Sequence, residues 1–161
     1  MDRPPVSETR NASRDDVGVI FSILASLSAV IPVRMDIEER RQLIREIVDR
    51  CCEQPTSWIA LGKAGEVVGF LLGENYSRIG MRGMEFEGVT LPYGGVLTEH
   101  RGHGYFSGLL DRAKTIKIPL HTVVKRANNS DMAARLEKKG FVKMADFARR
   151  PDEDVFIWTP Q

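Results

Sequence analysis

Between Thr98 and Leu110 the chain reads Thr-Glu-His-Arg-Gly-His-Gly-Tyr-Phe-Ser-Gly-Leu-Leu. An apolar, strand-like run enters this stretch and a helical one leaves it, through Arg101, Gly102, His103 and Gly104. The first amides of a helix have no partner inside it, and the aligned peptide dipoles place about half a positive charge there. Glycines let an anion approach those amides without meeting a Cβ. The chemistry on offer is the grip of a phosphate or a pyrophosphate. No Gly-Lys-Ser/Thr ending follows, so this is not a Walker loop, and the full G-x-G-x-x-G fingerprint is missing. The same junction can also be no more than a tight strand-to-helix connection.

The surrounding elements follow from periodicity. Residues 1–8 are a loose lead-in. Ser13-Arg-Asp-Asp16 is a capping-box pattern that opens a helix running to about Pro32, with Val17, Ile20, Phe21, Leu24, Leu27 and Ile31 on its stripe. A second helix fits Ile37 to Cys51, burying Ile37, Ile44, Ile47, Val48 and Cys51, with Glu38, Glu39, Arg40, Arg41 and Arg45 as a solvated face. Ser57–Leu61 and Val67–Leu72 form a hairpin around Lys63-Ala-Gly-Glu66. A third strand, Phe86 to Leu97, contains Pro92 and the pair Gly94-Gly95, which should open it locally. Then come a helix from Gly104 to Lys114, with Phe106, Leu109, Leu110 and Ala113 inward, and a strand from Ile118 to Val124. A helix from Ser130 to Lys139 ends at Gly140, and strands Phe141–Ala145 and Val155–Trp158 close the chain. The reading is a single mixed α+β domain over 1–161, of order α-α-β-β-β-α-β-α-β-β.

Composition narrows the function. A net charge of +1 argues against a dedicated nucleic-acid binder. The apolar run from Val17 to Val33 follows Asp15 and Asp16 and is broken by serines, so it reads as a core helix and neither a signal nor a membrane segment. Cys51 and Cys52 are adjacent, unsuited to a metal set or a structural disulfide, and point to a reduced, cytoplasmic setting.

The sequence resembles the GNAT N-acetyltransferases, whose coenzyme motif is Gln/Arg-x-x-Gly-x-Gly/Ala at a strand-to-helix turn. Val96, Arg101 and Gly104 match it, and Asn129, eleven residues before Gly140-Phe141, matches a second landmark. Thr9 to Asp16 looks like the family's first strand and the start of its first helix, so the likeness spans nearly the whole chain. What the resemblance implies is a mostly antiparallel central sheet flanked by helices, with acetyl-CoA as cosubstrate and no metal. Val96, Leu97, Arg101, Gly102, His103, Gly104, Tyr105, Phe106 and Asn129 are the residues it assigns to the coenzyme. Two positions depart from the pattern. Phe106 replaces the motif's last glycine or alanine, and its phase with Leu109, Leu110 and Ala113 sends its ring toward the core. Leu136 stands where many members carry the tyrosine that protonates the leaving thiolate.

The implied reaction is direct attack of a primary amine on the thioester. Expelling an unprotonated thiolate at pH 7 costs about 2 kcal/mol, against about 12 for an alkoxide, so a missing acid slows the reaction without forbidding it. Tyr105, Tyr93 or water can stand in. An alkyl amine is protonated at pH 7 and needs a base. Glu87 and Glu85, at the start of the opened strand, are the candidates the resemblance suggests, while the oxyanion donor is a backbone amide between Gly95 and Leu97. His100, His103 and His121 are expected in turn, phosphate-side and packing roles, and Lys125 and Arg126 near a nucleotide phosphate. The linker Ile31–Met35, with Arg34, is the stretch to watch for the acceptor. The partners implied are a small amine and, as an open option, a second copy of the chain, with no nucleic acid or membrane. A coenzyme-binding sensor or assembly module of the same fold, without turnover, is the alternative, and an RNA-modifying enzyme of that fold is a third.

Overall fold

A computed structural model of the chain describes residues 8–28, 34–79, 86–126, 131–145 and 150–161, with 76–79 and 86–87 described by their backbone. Nine strands and four helices fall in these segments: β1 Glu8–Asn11, α1 Val17–Ser26, α2 Glu38–Cys52, β2 Trp58–Leu61, β3 Val67–Leu71, β4 Glu74–Ile79, β5 Phe86–Thr90, β6 Gly94–Val96, α3 Tyr105–Lys114, β7 Leu120–Lys125, α4 Met132–Lys138, β8 Val142–Lys143 and β9 Glu153–Trp158. The strands make two sheets, of order β1-β2-β3-β6 and β4-β5-β7-β9-β8. Every pairing is antiparallel except that of β5 with β7.

The chain changes sheets three times, through short loops between β3 and β4 and between β5 and β6, and by way of α3 between β6 and β7. Between β3 and β4 it turns at Gly73, where an added Cβ would stand 2.0 Å from the Thr56 carbonyl oxygen. The buried Ser57 hydroxyl fixes that turn, accepting from the Gly73 N–H at 3.0 Å and donating to the Cys51 carbonyl at the end of α2 at 2.9 Å. Between β5 and β6 the crossing is Leu91-Pro92-Tyr93. Leu91 N–H still bonds His121 C=O of sheet two at 2.7 Å, whereas Tyr93 C=O already accepts from Leu72 N–H at 2.9 Å. Proline, which has no N–H to give, sits where neither sheet asks for one.

Side-chain alternation gives sheet one two apolar faces. Ile59, Phe70 and Leu72 pack under Ile20 and Leu24 of α1 and Ile44 and Val48 of α2. Trp58, Ala60 and Leu71 pack with Leu109, Leu110 and Ala113 of α3 and with Leu120 and Phe156 of sheet two. α3 therefore sits against sheet one, and its apolar stripe shares a core with side chains of the second sheet.

Several boundaries shift from the sequence reading. α1 ends at Ser26 because the Ser26 and Ser28 hydroxyls take the Ile23 and Ala25 carbonyls at 2.7 and 2.8 Å; the remainder toward Pro32, including Ile31, lies outside the described residues. Ile37 is not on the buried stripe of α2. It is the extended residue before the helix and is 37% exposed. β4 is an additional strand beyond the expected order, and the single strand expected over Phe86–Leu97 is two, β5 and β6, in different sheets. Among the described residues no helix is long and apolar enough to cross a membrane.

The capping box forms at Ser13, with its N–H donating to the Asp16 carboxylate at 2.8 Å, and opens a short 3-10 turn ahead of α1. The Arg10 guanidinium from β1 binds both Asp16 oxygens at 2.9 and 3.0 Å, which ties strand to helix. This bond, aided by the Ser13 N–H and opposed by burial, holds the Asp16 carboxyl below its ordinary range. A depressed carboxyl lends stability above its unfolded value of about 3.9, and that stability is lost as pH falls through the folded value. Asp16→Asn should therefore cost about 1–3 kcal/mol at pH 7. The gap between mutant and parent urea midpoints should close as pH falls below the ordinary carboxylate range, and a gap that stays constant through acid counts against the ion pair.

Candidate active site

Below β6 the chain makes a 3-10 turn over Thr98–His100, then passes Gly102 and Gly104 at φ +82° and +81° before entering α3. Both glycines are left-handed, a conformation with little steric cost for glycine alone. A Cβ at either would meet nothing within 4 Å, so the space in front of the turn is open. Gly108 N–H is bonded to Gly104 C=O at 2.9 Å, which leaves the amides of Tyr105, Phe106 and Ser107 as the helix's unpartnered first turn. They open on a cavity of about 280 Å³ walled by Val96, His100, Arg101 and Tyr105, with Arg135 and Lys138 of α4 across from them. Amides, helix dipole and basic side chains all favour an anion there.

A second cavity, of about 230 Å³, occupies the gap between β6 and β7. The two strands part at a defined point. Thr122 Oγ1 donates to Leu91 C=O at 2.9 Å, and beyond it β6 pairs with β3 while β7 pairs with β9. Register fixes what faces the gap. Leu97 N–H bonds Val68 C=O at 2.9 Å, so alternation turns the Gly94 and Val96 amides away from β3 and toward β7. On β7, Arg126 N–H bonds Asp152 C=O at 2.9 Å while His121 C=O faces β5, which aims the backbone groups of Val123 and Lys125 into the same gap. An extended ligand lying there meets two strand edges, as a missing strand would.

Phe106 lies between the two cavities and lines both. Its ring is 6% exposed and belongs to the core around α3, as its phase required. Gly94 makes room for it, since a Cβ at that position would stand 3.2 Å from Phe106 Cε2 and 2.8 Å from Leu71 Cδ1.

No protein-family model matches the sequence, and no curated protein matches it. Solved structures do match. The chain is similar to a Corynebacterium glutamicum protein described as histone acetyltransferase HPA2 and related acetyltransferase, with a TM-score of 0.69 at 18% identity over 96% of this chain and 97% of that one. It is similar to a Bacillus cereus acetyltransferase of the GNAT family, with a TM-score of 0.63 at 18% identity over 96% and 98%. It is also similar to the PaiA N-acetyltransferase of Thermoplasma acidophilum, solved with coenzyme A, with a TM-score of 0.68 at 13% identity over 96% and 98%. The fold is the GNAT fold.

Within the GNAT fold the residues assigned from sequence fall into groups. Val96, Arg101, Gly102, Gly104, Tyr105 and Phe106 all line the cavity beneath β6. His103 stands beside it, its ring 6.3 Å from that of Tyr105, and His100 touches the same ring at 6.1 Å. Tyr105 therefore sits on the glycine-turn side of Phe106 rather than in the gap. Leu97 cannot be the oxyanion donor, because its N–H is bonded to Val68; the gap-facing amides are those of Gly94 and Val96. Leu136 is 2% exposed and forms an apolar wall of the gap, where Tyr93 supplies the hydroxyl-bearing side chain. Burial pushes the Tyr93 phenol up, so it keeps its proton at neutral pH.

Glu87 lies on β5, four residues before the parting point at Leu91. Glu85 and Asn129 lie outside the described residues. Arg34 is ion-paired with Asp36 at 3.2 Å, and Arg126 with Asp154 at 3.3 Å, while Lys125 lines the gap instead of the anion cavity. Arg40, read from sequence as part of a solvated face, also lines the gap. Helical phase alone cannot show this, because it says which face is polar and not what that face overlooks. Among the described residues no group of three His, Cys, Asp or Glu side chains is placed to hold a metal ion.

Proposed function

We propose that the chain is an acetyl-CoA-dependent N-acetyltransferase acting on a primary amine. The observation that carries the reading is the adjacency of two spaces, an open glycine turn with unpartnered amides and a gap between two strand edges, with Phe106 on the border of both. The diphosphate of acetyl-CoA occupies the first, and its amide-bearing arm lies along the edges of β6 and β7 in the second. The thioester oxygen then faces a gap-facing amide of β6, Val96 or Gly94, where charge develops during attack. The amine nitrogen, once deprotonated, forms a bond to the thioester carbon, the carbon–sulfur bond breaks, and sulfur leaves with its electron pair to take up a proton. Glu87 and Glu85 are the bases proposed for the amine, and Tyr93 is a neutral phenol able to supply the sulfur's proton.

Direct transfer also fits the chain's two cysteines. Burial pushes the Cys51 and Cys52 thiols up to about 12 and about 11, so neither is a thiolate able to carry the acyl group.

The test follows free thiol in a mixture of protein, acetyl-CoA and an amine panel. Thiol release that depends on both the amine and the protein supports the reading. Glu87→Gln should lower kcat about 100-fold, the usual order for loss of a general base, with coenzyme affinity intact. A variant turning over like the parent removes Glu87 from the mechanism. The second reading, a coenzyme-binding module without turnover, is favoured by the apolar Leu136 at the proposed acid position. It forecasts thermal stabilisation by acetyl-CoA with no amine-dependent thiol.

A further inference from the structure

Which acceptor the gap takes can be read from its charges, on the premise that the transfer proposed above is correct. The walls are largely apolar, yet three charged side chains reach the cavity from separate elements: Arg40 from α2, Lys125 from β7 and Glu153 from β9. Neighbouring charges are already paired, Arg41 with Glu38, Arg34 with Asp36 and Arg126 with Asp154. Arg40, Lys125 and Glu153 form no ion pair among the described residues.

Their arrangement is specific. Lys125 and Glu153 are directly opposite on β7 and β9, at a site between hydrogen-bonded pairs, so their side chains leave the sheet on one face about 5 Å apart. Arg40 comes from the other lip of the gap, close enough to Tyr93 to ease the phenol's ionisation against burial. Arg40 is exposed and Lys125 and Glu153 are half-buried, so a ligand entering the cavity can meet all three side chains. Two cations and one anion call for a ligand that brings a negative group and a positive one.

We infer that the acceptor is a small amine that also carries a carboxylate, the carboxylate held between Arg40 and Lys125 and the ammonium meeting Glu153. Arginine binds a carboxylate through two parallel N–H bonds, which fixes the molecule's direction as well as its charge. With that end clamped and Glu153 steering the ammonium, the nitrogen gives one proton to the base proposed above and its freed pair bonds the thioester carbon. The carbon–sulfur bond breaks, and sulfur keeps that bond's pair and takes up a proton as the nitrogen sheds its second. The size agrees. The cavity of about 230 Å³ also receives the coenzyme's arm, so the acceptor beside it must be small.

Matched pairs of amines test this. Amino acids and their carboxamides, and ω-amino acids and alkylamines of equal length, are compared by acetyl-CoA-dependent thiol release. The carboxylate form should show kcat/KM at least about ten-fold above its uncharged partner, the order expected from one charge-assisted bond. Arg40→Gln and Lys125→Gln should each raise KM for the carboxylate form by about ten-fold, leave stabilisation by coenzyme A unchanged, and shrink the preference. Equal turnover of both members, or preference for the uncharged or a dicationic amine, overturns the inference and leaves acetyl transfer standing. Stabilisation by coenzyme A without thiol release from any amine overturns both.

Discussion

Replacing Gly104 with valine should weaken acetyl-CoA binding by about 100-fold, the equivalent of one or two lost charge-assisted hydrogen bonds at about 1.5–3 kcal/mol each. Two effects combine. The added side chain enters the open space before the first turn of α3, and the residue must hold φ near +81°, which a β-branched side chain resists. The second effect lowers stability wherever it occurs, so it needs a control. Gly65, in the β2–β3 turn, has φ +82° and equally open space, and is remote from both cavities. Gly65→Val should lose comparable stability with unchanged coenzyme affinity by calorimetry. If the two variants bind acetyl-CoA equally well, the phosphates do not sit at the α3 turn.

Phe106→Ala should cost about 3–5 kcal/mol of folding stability, because it deletes a buried aromatic ring where α3 meets β3 and β6. For a chain of this length that is a fall in Tm of about 6–20 °C. The same ring separates the two cavities, so its removal joins them. Acetyl-CoA should still stabilise the variant, since the Phe106 amide remains and only the ring is gone. A fall of under about 3 °C would place the ring outside the core's cooperative packing. Loss of coenzyme stabilisation with a small fall in Tm would show instead that the ring itself contacts the ligand.

These two residues also show how far the sequence reaches. The glycines of the α3 turn and the inward stripe of Phe106, Leu109, Leu110 and Ala113 are legible because φ tolerance and helical phase are local properties. The parted strand is legible for the same reason, through Pro92 and Gly94. β4 was not legible. Its sequence, Glu-Asn-Tyr-Ser-Arg-Ile, shows no apolar alternation, and it forms the edge of sheet two, where one neighbour suffices and polar residues are welcome. Which amide between Gly95 and Leu97 faces the gap is not legible, because a span of three residues does not say which amides face β3; only the register does. The acceptor end was hidden for a different reason. Arg40 is one of several arginines on α2, and only the packing of α2 over sheet one distinguishes it from Arg41 and Arg45.

The single junction at Leu91 and Thr122 has a consequence beyond catalysis. Past that junction the two sheets share no backbone ladder, so the molecule carries an open seam bordered by β6 and β7. Exposed ladder groups of this kind invite pairing with foreign chains. On the function proposed above, a cosubstrate spanning the seam would be a structural part of the protein as well as a reagent, and by mass action would favour the folded form. Steady-state amounts of the protein in a cell should therefore rise and fall with the supply of the acyl carrier.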